Sequence, residues 1–128
     1  MVTEVTKGVK VTVEVQYQQD YSSPNQHHYV FTYQVIIENN SNKTLQLKRR
    51  EWIINDIGYP IRTVEGEGVV GRLPILEPGQ KHQYISGCNL RSGIGKMHGT
   101  YQMEQLMDGQ TITIQIPEFK MVVPFKLN

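Results

Sequence analysis

Residues 9–17 read VKVTVEVQY. Val9, Val11, Val13, Val15 and Tyr17 fall on one side of this run, and Lys10, Thr12, Glu14 and Gln16 on the other. Successive side chains of a strand point to opposite faces, so the alternation predicts a half-buried strand. The stretch HHYVFTYQVIIEN (27–39) repeats it with Tyr29, Phe31, Tyr33, Val35 and Ile37. Between them QQDYSSPNQ (18–26) is polar, with Pro24 and Asn25 as turn formers. NNSNK (39–43) reads as a further turn.

From Thr44 to about Asp56 the parity changes. Leu45 and Leu47 are odd, whereas Trp52 and Ile54 are even, which predicts a β-bulge at Arg49 to Glu51. A short strand follows Gly58 toward Glu67, and LPILEPGQ (73–80) is a punctuated connection. Strand signals return at HQYIS (82–86), KMHGTYQMEQL (96–106) and QTITIQI (110–116), with an Asp-Gly turn in MDGQ (107–110). Pro117 predicts an edge or a bulge in the last strand, which resumes at FKMVVP (119–124). About seven short strands with regular turns, and no amphipathic helix, predict an all-β antiparallel sandwich of immunoglobulin or fibronectin type III type.

The chain has 128 residues, a length that fits one domain over 1–128. A chain of this length buries roughly two thirds of its unfolded surface and needs no metal or disulfide as a staple. Cys88 is the single cysteine, which suits a reducing, cytoplasmic setting. The N-terminal stretch MVTEVTKGVKVTVEV has scattered charges and reads as neither a signal peptide nor a membrane anchor. No stretch approaches the roughly 18 apolar residues of a spanning helix. Formal net charge is +1, with a sequence pI of about 7.9. The one basic cluster, LKRRE (47–51), reads as a solvated strand end, so neither nucleic acid nor membrane insertion is expected.

VEGEGVVG (64–71) sets Gly66, Gly68 and Gly71 in the pattern G-x-G-x-x-G. A dinucleotide fingerprint must open a helix, whose N-terminus holds the pyrophosphate. Here Pro74 and Pro78 follow too closely for a helix. Glu65 and Glu67 would also repel a phosphate, while Arg62 and Arg72 flank them. The glycines are therefore expected to be structural. The rival expectation is a small-ligand module that takes a nucleotide, pyrophosphate or divalent cation through residues 65–71.

The same residues carry a resemblance. G-E-G-V-V-G is followed in order by P-x-L-x-P-G, Y-x-S-G, G-x-M-x-G-x-Y and I-P-x-F, and preceded by the trio Leu47, Arg50 and Trp52. The chain resembles the ApaG family over nearly its whole length. The resemblance implies a fibronectin type III-like sandwich in a small bacterial protein. It implies a gene that often neighbours that of a diadenosine tetraphosphatase, and a genetic link to cobalt and magnesium resistance and efflux. Related eukaryotic domains sit in an F-box subunit of ubiquitin ligases, where they recognise proteins. No family member is firmly assigned an enzymatic activity. Many members carry Thr-Pro ahead of the glycine at Gly95, where this chain has Ser92-Gly93, so a looser loop is expected there.

Candidate chemistry is sparse. Glu65 and Glu67 share a strand face and could join a hydrated magnesium ion, but no third ligand is evident. His27 and His28 are adjacent, so on a strand they point opposite ways. His82, His98 and Cys88 match no zinc spacing. Ser86-Gly87-Cys88 has no base in clear reach for nucleophilic work. Direct transport is excluded, so any role in efflux runs through another protein. Neither a catalytic residue nor a cofactor is expected. The leading expectation is a non-enzymatic binding module with an unidentified protein partner, a homodimer being one form of it. Arg50, Glu51, Trp52, Arg62 and Arg72 are its candidate contacts. For Trp52 the core is the favoured reading, which would turn Glu51 and Ile53 outward.

Overall fold

A computed structural model describes residues 1–126 of the chain. Leu127 and Asn128, the end of the expected 1–128 domain, lie outside the described residues. The described residues form nine strands in chain order: β1 (Val2–Thr6), β2 (Val9–Tyr17), β3 (Tyr29–Asn39), β4 (Leu45–Asp56), β5 (Arg62–Glu67), β6 (Ile75–Leu76), β7 (Lys81–Leu90), β8 (Ile94–Gln105) and β9 (Thr111–Val122). The described residues form no α-helix, only three single-turn 3-10 helices. One antiparallel sheet runs β1-β2-β3-β7 and the other β5-β4-β8-β9, with β6 also pairing with β4. The chain passes between sheets after β3, before β7 and after β7. This is the antiparallel sandwich that the alternation predicts.

The core lies between the sheets, and period two decides what fills it. Val9, Val11 and Val13 are buried opposite Asn39, Ile37 and Val35 of β3. Tyr29, Phe31 and Tyr33 on β3 meet Leu90, Cys88 and Ser86 on β7. Trp52 on β4 packs edge-on against Tyr33 of the opposite sheet and Phe119 of β9.

Two irregularities match the sequence in kind. The β4 bulge falls at Lys48, between Leu47 and Arg49, rather than at 49–51. The parity change between Leu47 and Trp52 fixes only that one extra residue lies between them. Pro117 and Glu118 together oppose His98, so Pro117 sits in a bulge of the edge strand β9, where it needs no ladder partner. β1 and β6 go beyond the seven expected strands.

Two buried polar side chains stitch the inter-sheet crossings. Asn39 donates through Nδ2 to the carbonyls of Lys43 (2.7 Å) and Leu76 (2.8 Å), and its Oδ1 accepts from Ser41. Asp56 accepts from Arg91 N–H (2.7 Å), Ser92 N–H (3.0 Å) and Ser92 Oγ (2.6 Å). The loop at Ser92-Gly93, expected to be loose, is therefore tied. The Ser92 hydroxyl also accepts from Ile94 N–H at 3.1 Å.

Candidate functional site

The sandwich closes along one side, where β9 lies against β1 and Gln115 N–H donates to Thr6 Oγ1 at 3.1 Å. On the other side the edge strands β5 and β7 bound an open cleft of about 230 Å³. Its walls include Tyr33, Ser86 and Cys88 from one sheet and Arg50, Arg62 and Val64 from the other.

The bulge at Lys48 turns Arg49 outward and Arg50 inward. Arg50 Nη1 donates to the carbonyls of Glu67 (3.1 Å) and Gly68 (3.0 Å). Gly66 lies under that guanidinium, and a Cβ there would stand 2.7 Å from Nη1. Gly68 has φ +62°, and a Cβ on it would come within 2.1 Å of the Arg72 carbonyl. Val69 and Arg72 exchange backbone hydrogen bonds at 2.9 and 3.0 Å around Val70 (φ +47°) and Gly71 (φ +74°). Two central residues with positive φ make this a tight type I′-like hairpin turn. The glycine-rich run is thus a strand end and a hairpin, with two of its carbonyls turned toward a cation.

Arg62 reaches across the cleft. Its Nη2 donates to the Asn89 carbonyl of β7 and lies 3.9 Å from Cys88 Sγ. Burial pushes the Cys88 thiol pKa up, and the guanidinium only partly offsets this. The group is a protonated thiol at neutral pH, hence a poor nucleophile. Burial likewise raises the phenols of Tyr33, Tyr84 and Tyr101, and the last two hydroxyls are hydrogen-bonded to each other. His82 goes the other way: burial first, then the Arg72 charge, lowers its pKa. His82 and Ser86 share the inner face of β7 but stand four residues apart, roughly 13 Å along a strand. Cys88 is about 20 Å from His82 by the same spacing. No base on β7 reaches a nucleophile.

The remaining predicted residues divide by strand face. Trp52 is 2% exposed. Its neighbours Tyr33 and Phe119 cover it, which withdraws it from the candidate contact surface. Glu51 is exposed on the outer face, as the inward Trp52 requires. Glu65 and Glu67 are also exposed there, with Glu65 opposite Glu51 and Glu67 opposite Arg49. Among the described residues, no three His, Cys, Asp or Glu side chains are grouped as a metal site requires. LKRRE is split by the pleat and bulge: Lys48 pairs with Glu104 at 3.4 Å while Arg50 points inward. Arg62 and Arg72 are exposed, and none of the arginines forms an ion pair among the described residues. The link from Arg62 to Cys88 and Asn89 escaped the sequence, because nothing local joins β5 to β7.

The comparisons with known proteins concern this same framework. The family model of the ApaG domain matches residues 19–105, which hold both walls of the cleft. This chain belongs to the ApaG domain family. It is similar to Protein ApaG of Brucella abortus (strain S19), 45% identical over 124 residues, covering 97% of this chain and 95% of that one. Protein ApaG of Brucella melitensis biotype 1 is equally similar, at 45% over 124 residues and the same coverage. Among solved structures, a Bordetella pertussis protein described as ApaA superposes with a TM-score of 0.86 at 39% identity, covering 91% of this chain and 94% of that one. A protein from Archaeoglobus fulgidus, 8% identical, superposes with a TM-score of 0.53 over 88% of this chain and 95% of that one, and shares the fold alone. Among the described residues of this ApaG-domain chain, no helix is long and apolar enough to cross a membrane.

Proposed function

We propose that this ApaG-domain chain is a non-catalytic, cytoplasmic binding module that docks another protein on its open side, between β5 and β7. One observation carries the reading. Arg62 and Arg72 stand exposed without carboxylate partners among the described residues, beside exposed apolar side chains. Val64 on β5 is 41% exposed and Val70 at the hairpin tip 61%. Unpaired arginines mixed with exposed apolar surface are the composition of a protein interface. The nearby Cys88 thiol is held protonated and no base on β7 reaches it, which favours binding over catalysis. The glycines of 65–71 are occupied by the hairpin and by Arg50, which favours a protein over a nucleotide or pyrophosphate. Any part in cobalt or magnesium resistance then runs through the partner.

Affinity capture from native lysate, read by mass spectrometry, tests this. One protein should be retained stoichiometrically and lost with a folded Arg62→Glu, Arg72→Glu variant. Retention by that variant would move the surface elsewhere. A melting temperature raised by diadenosine tetraphosphate or ATP, with no protein captured, would replace the reading with the small-ligand one.

A further inference from the structure

We propose that the outer edge of β7 takes an extended, acidic segment of a partner protein as a fifth strand of the four-stranded sheet. The proposal rests on the protein-binding reading above and names its mode and chemistry.

The ladder fixes which groups are free. Asn39 N–H donates to the Gln80 carbonyl at 2.9 Å, and the pairing continues without a shift from Glu38↔Lys81 to Tyr29↔Leu90. In an antiparallel ladder, bonded and non-bonded pairs alternate. His82, Tyr84, Ser86, Cys88 and Leu90 therefore bond to β3, and Gln83, Ile85, Gly87 and Asn89 turn their N–H and C=O groups outward. The Asn89 carbonyl receives Arg62, as this parity requires. Gln83, Ile85 and Gly87 have no backbone partner on that side among the described residues.

Native edges are normally blunted by charge, proline, bulges or short length. The other edges of this sandwich carry such devices. β1 has five residues and lies under β9. β9 has Pro117 and its bulge. β5 runs into the hairpin, and Arg50 holds the carbonyls of Glu67 at its end and Gly68 just beyond. β7 has ten residues, no proline, no bulge and one lysine. Gly87 puts no side chain in the way of an approaching strand, and Ile85 offers an exposed apolar one.

Charge selects the occupant. A strand added to β7 would send alternate side chains under the open side, toward β5. There they meet Val64, with Arg62 at the Asn89 end and Arg72 near His82 at the other. Neither arginine has a carboxylate partner among the described residues. An Asp or Glu at each end, about six residues apart, with apolar residues between, complements this row. A second copy does not. Two-fold pairing about Ile85 would set Lys81 of each copy opposite Asn89 of the other, beside Arg62, and like charges would meet twice.

Selection from a random dodecapeptide display library against the intact chain tests the proposal. Enriched sequences should alternate and carry acidic residues flanking β-branched ones. Ile85→Pro removes a free-edge N–H and leaves the β3 ladder intact, so it should fold and lose at least tenfold in affinity. Ile85→Ala should lose less. Arg62→Glu with Arg72→Glu should turn the selection toward basic peptides. Hydrogen exchange should slow at the amides of Gln83, Ile85 and Gly87 when a selected peptide binds. If Ile85→Pro does not fold, Gly87→Pro makes the same test. Failure to enrich any peptide, undiminished binding by the proline variant, or unchanged exchange at those amides overturns the proposal. If the proline variant still captures the lysate partner, strand addition fails and the binding-module reading stands.

Discussion

Val70 holds φ at +47° while exposing its side chain at the hairpin tip. A β-branched residue in the left-handed region is strained, and nothing is gained from burial here. Val70→Asn should raise stability by on the order of 1 kcal/mol, read as a higher urea midpoint at unchanged slope. An unchanged midpoint would mean that the turn carries no such strain. The neighbouring glycines should differ from one another. Gly68→Ala combines positive φ with a clash against backbone that cannot move, and should cost about 1–3 kcal/mol or more. Gly66→Ala meets the end of a flexible arginine, which can swing away at smaller cost but would leave the Glu67 and Gly68 carbonyls without it. Equal losses at the two sites would contradict this assignment. That G-x-G-x-x-G opens no phosphate-binding helix was legible, because Pro74 and Pro78 forbid one. Which glycine answers to which neighbour was not legible, since Arg50 reaches Gly66 only through the pairing of β4 with β5.

At the scale of elements, period two revealed the strands with a clean buried face; β5, which has none, was expected only as a short strand between Gly58 and Glu67, and β1 and β6 were missed. In β1, VTEVT, the valines stand three apart, so Val2 faces the core and Val5 the solvent, and no alternation results. β6 has two residues, too few for any period. The polar residues that join elements were equally silent, because Asp56 and Asn39 find their partners only after the sheets assemble. Asp56→Ala should cost about 3 kcal/mol, since it strands the N–H groups of Arg91 and Ser92 where a carboxylate received them. Asp56→Asn, which keeps one acceptor oxygen, should lose less, and chemical denaturation of the two variants checks the order. β7 adds a pH dependence. The folded state lowers the His82 pKa, so on acidification the unfolded chain binds the proton first. Stability should be undiminished above the ordinary histidine pKa of about 6.5 and fall as pH drops through it. His82→Gln should flatten that part of the profile, and an equally steep fall in the variant would assign it to other groups.

For the molecule as a whole, the sheets are interleaved in the sequence: β3 waits for β7 and β4 for β8. Neither sheet can finish before the chain has crossed between them, so loop closure precedes most of the stabilising contacts. Refolding should therefore take milliseconds to seconds rather than microseconds. The chain contains its own reporter, because Trp52 is its single tryptophan and touches Tyr33 of the facing sheet. Its fluorescence reads the packing of sheet on sheet, while far-UV circular dichroism reads the strands. Because Trp52, Tyr33 and Phe119 bridge both layers in one core, the two signals should give one coincident denaturant transition. A fluorescence midpoint clearly below that of the dichroism would mean that the sheets part before they melt. The bridging aromatics would then be a contact between two independently stable layers.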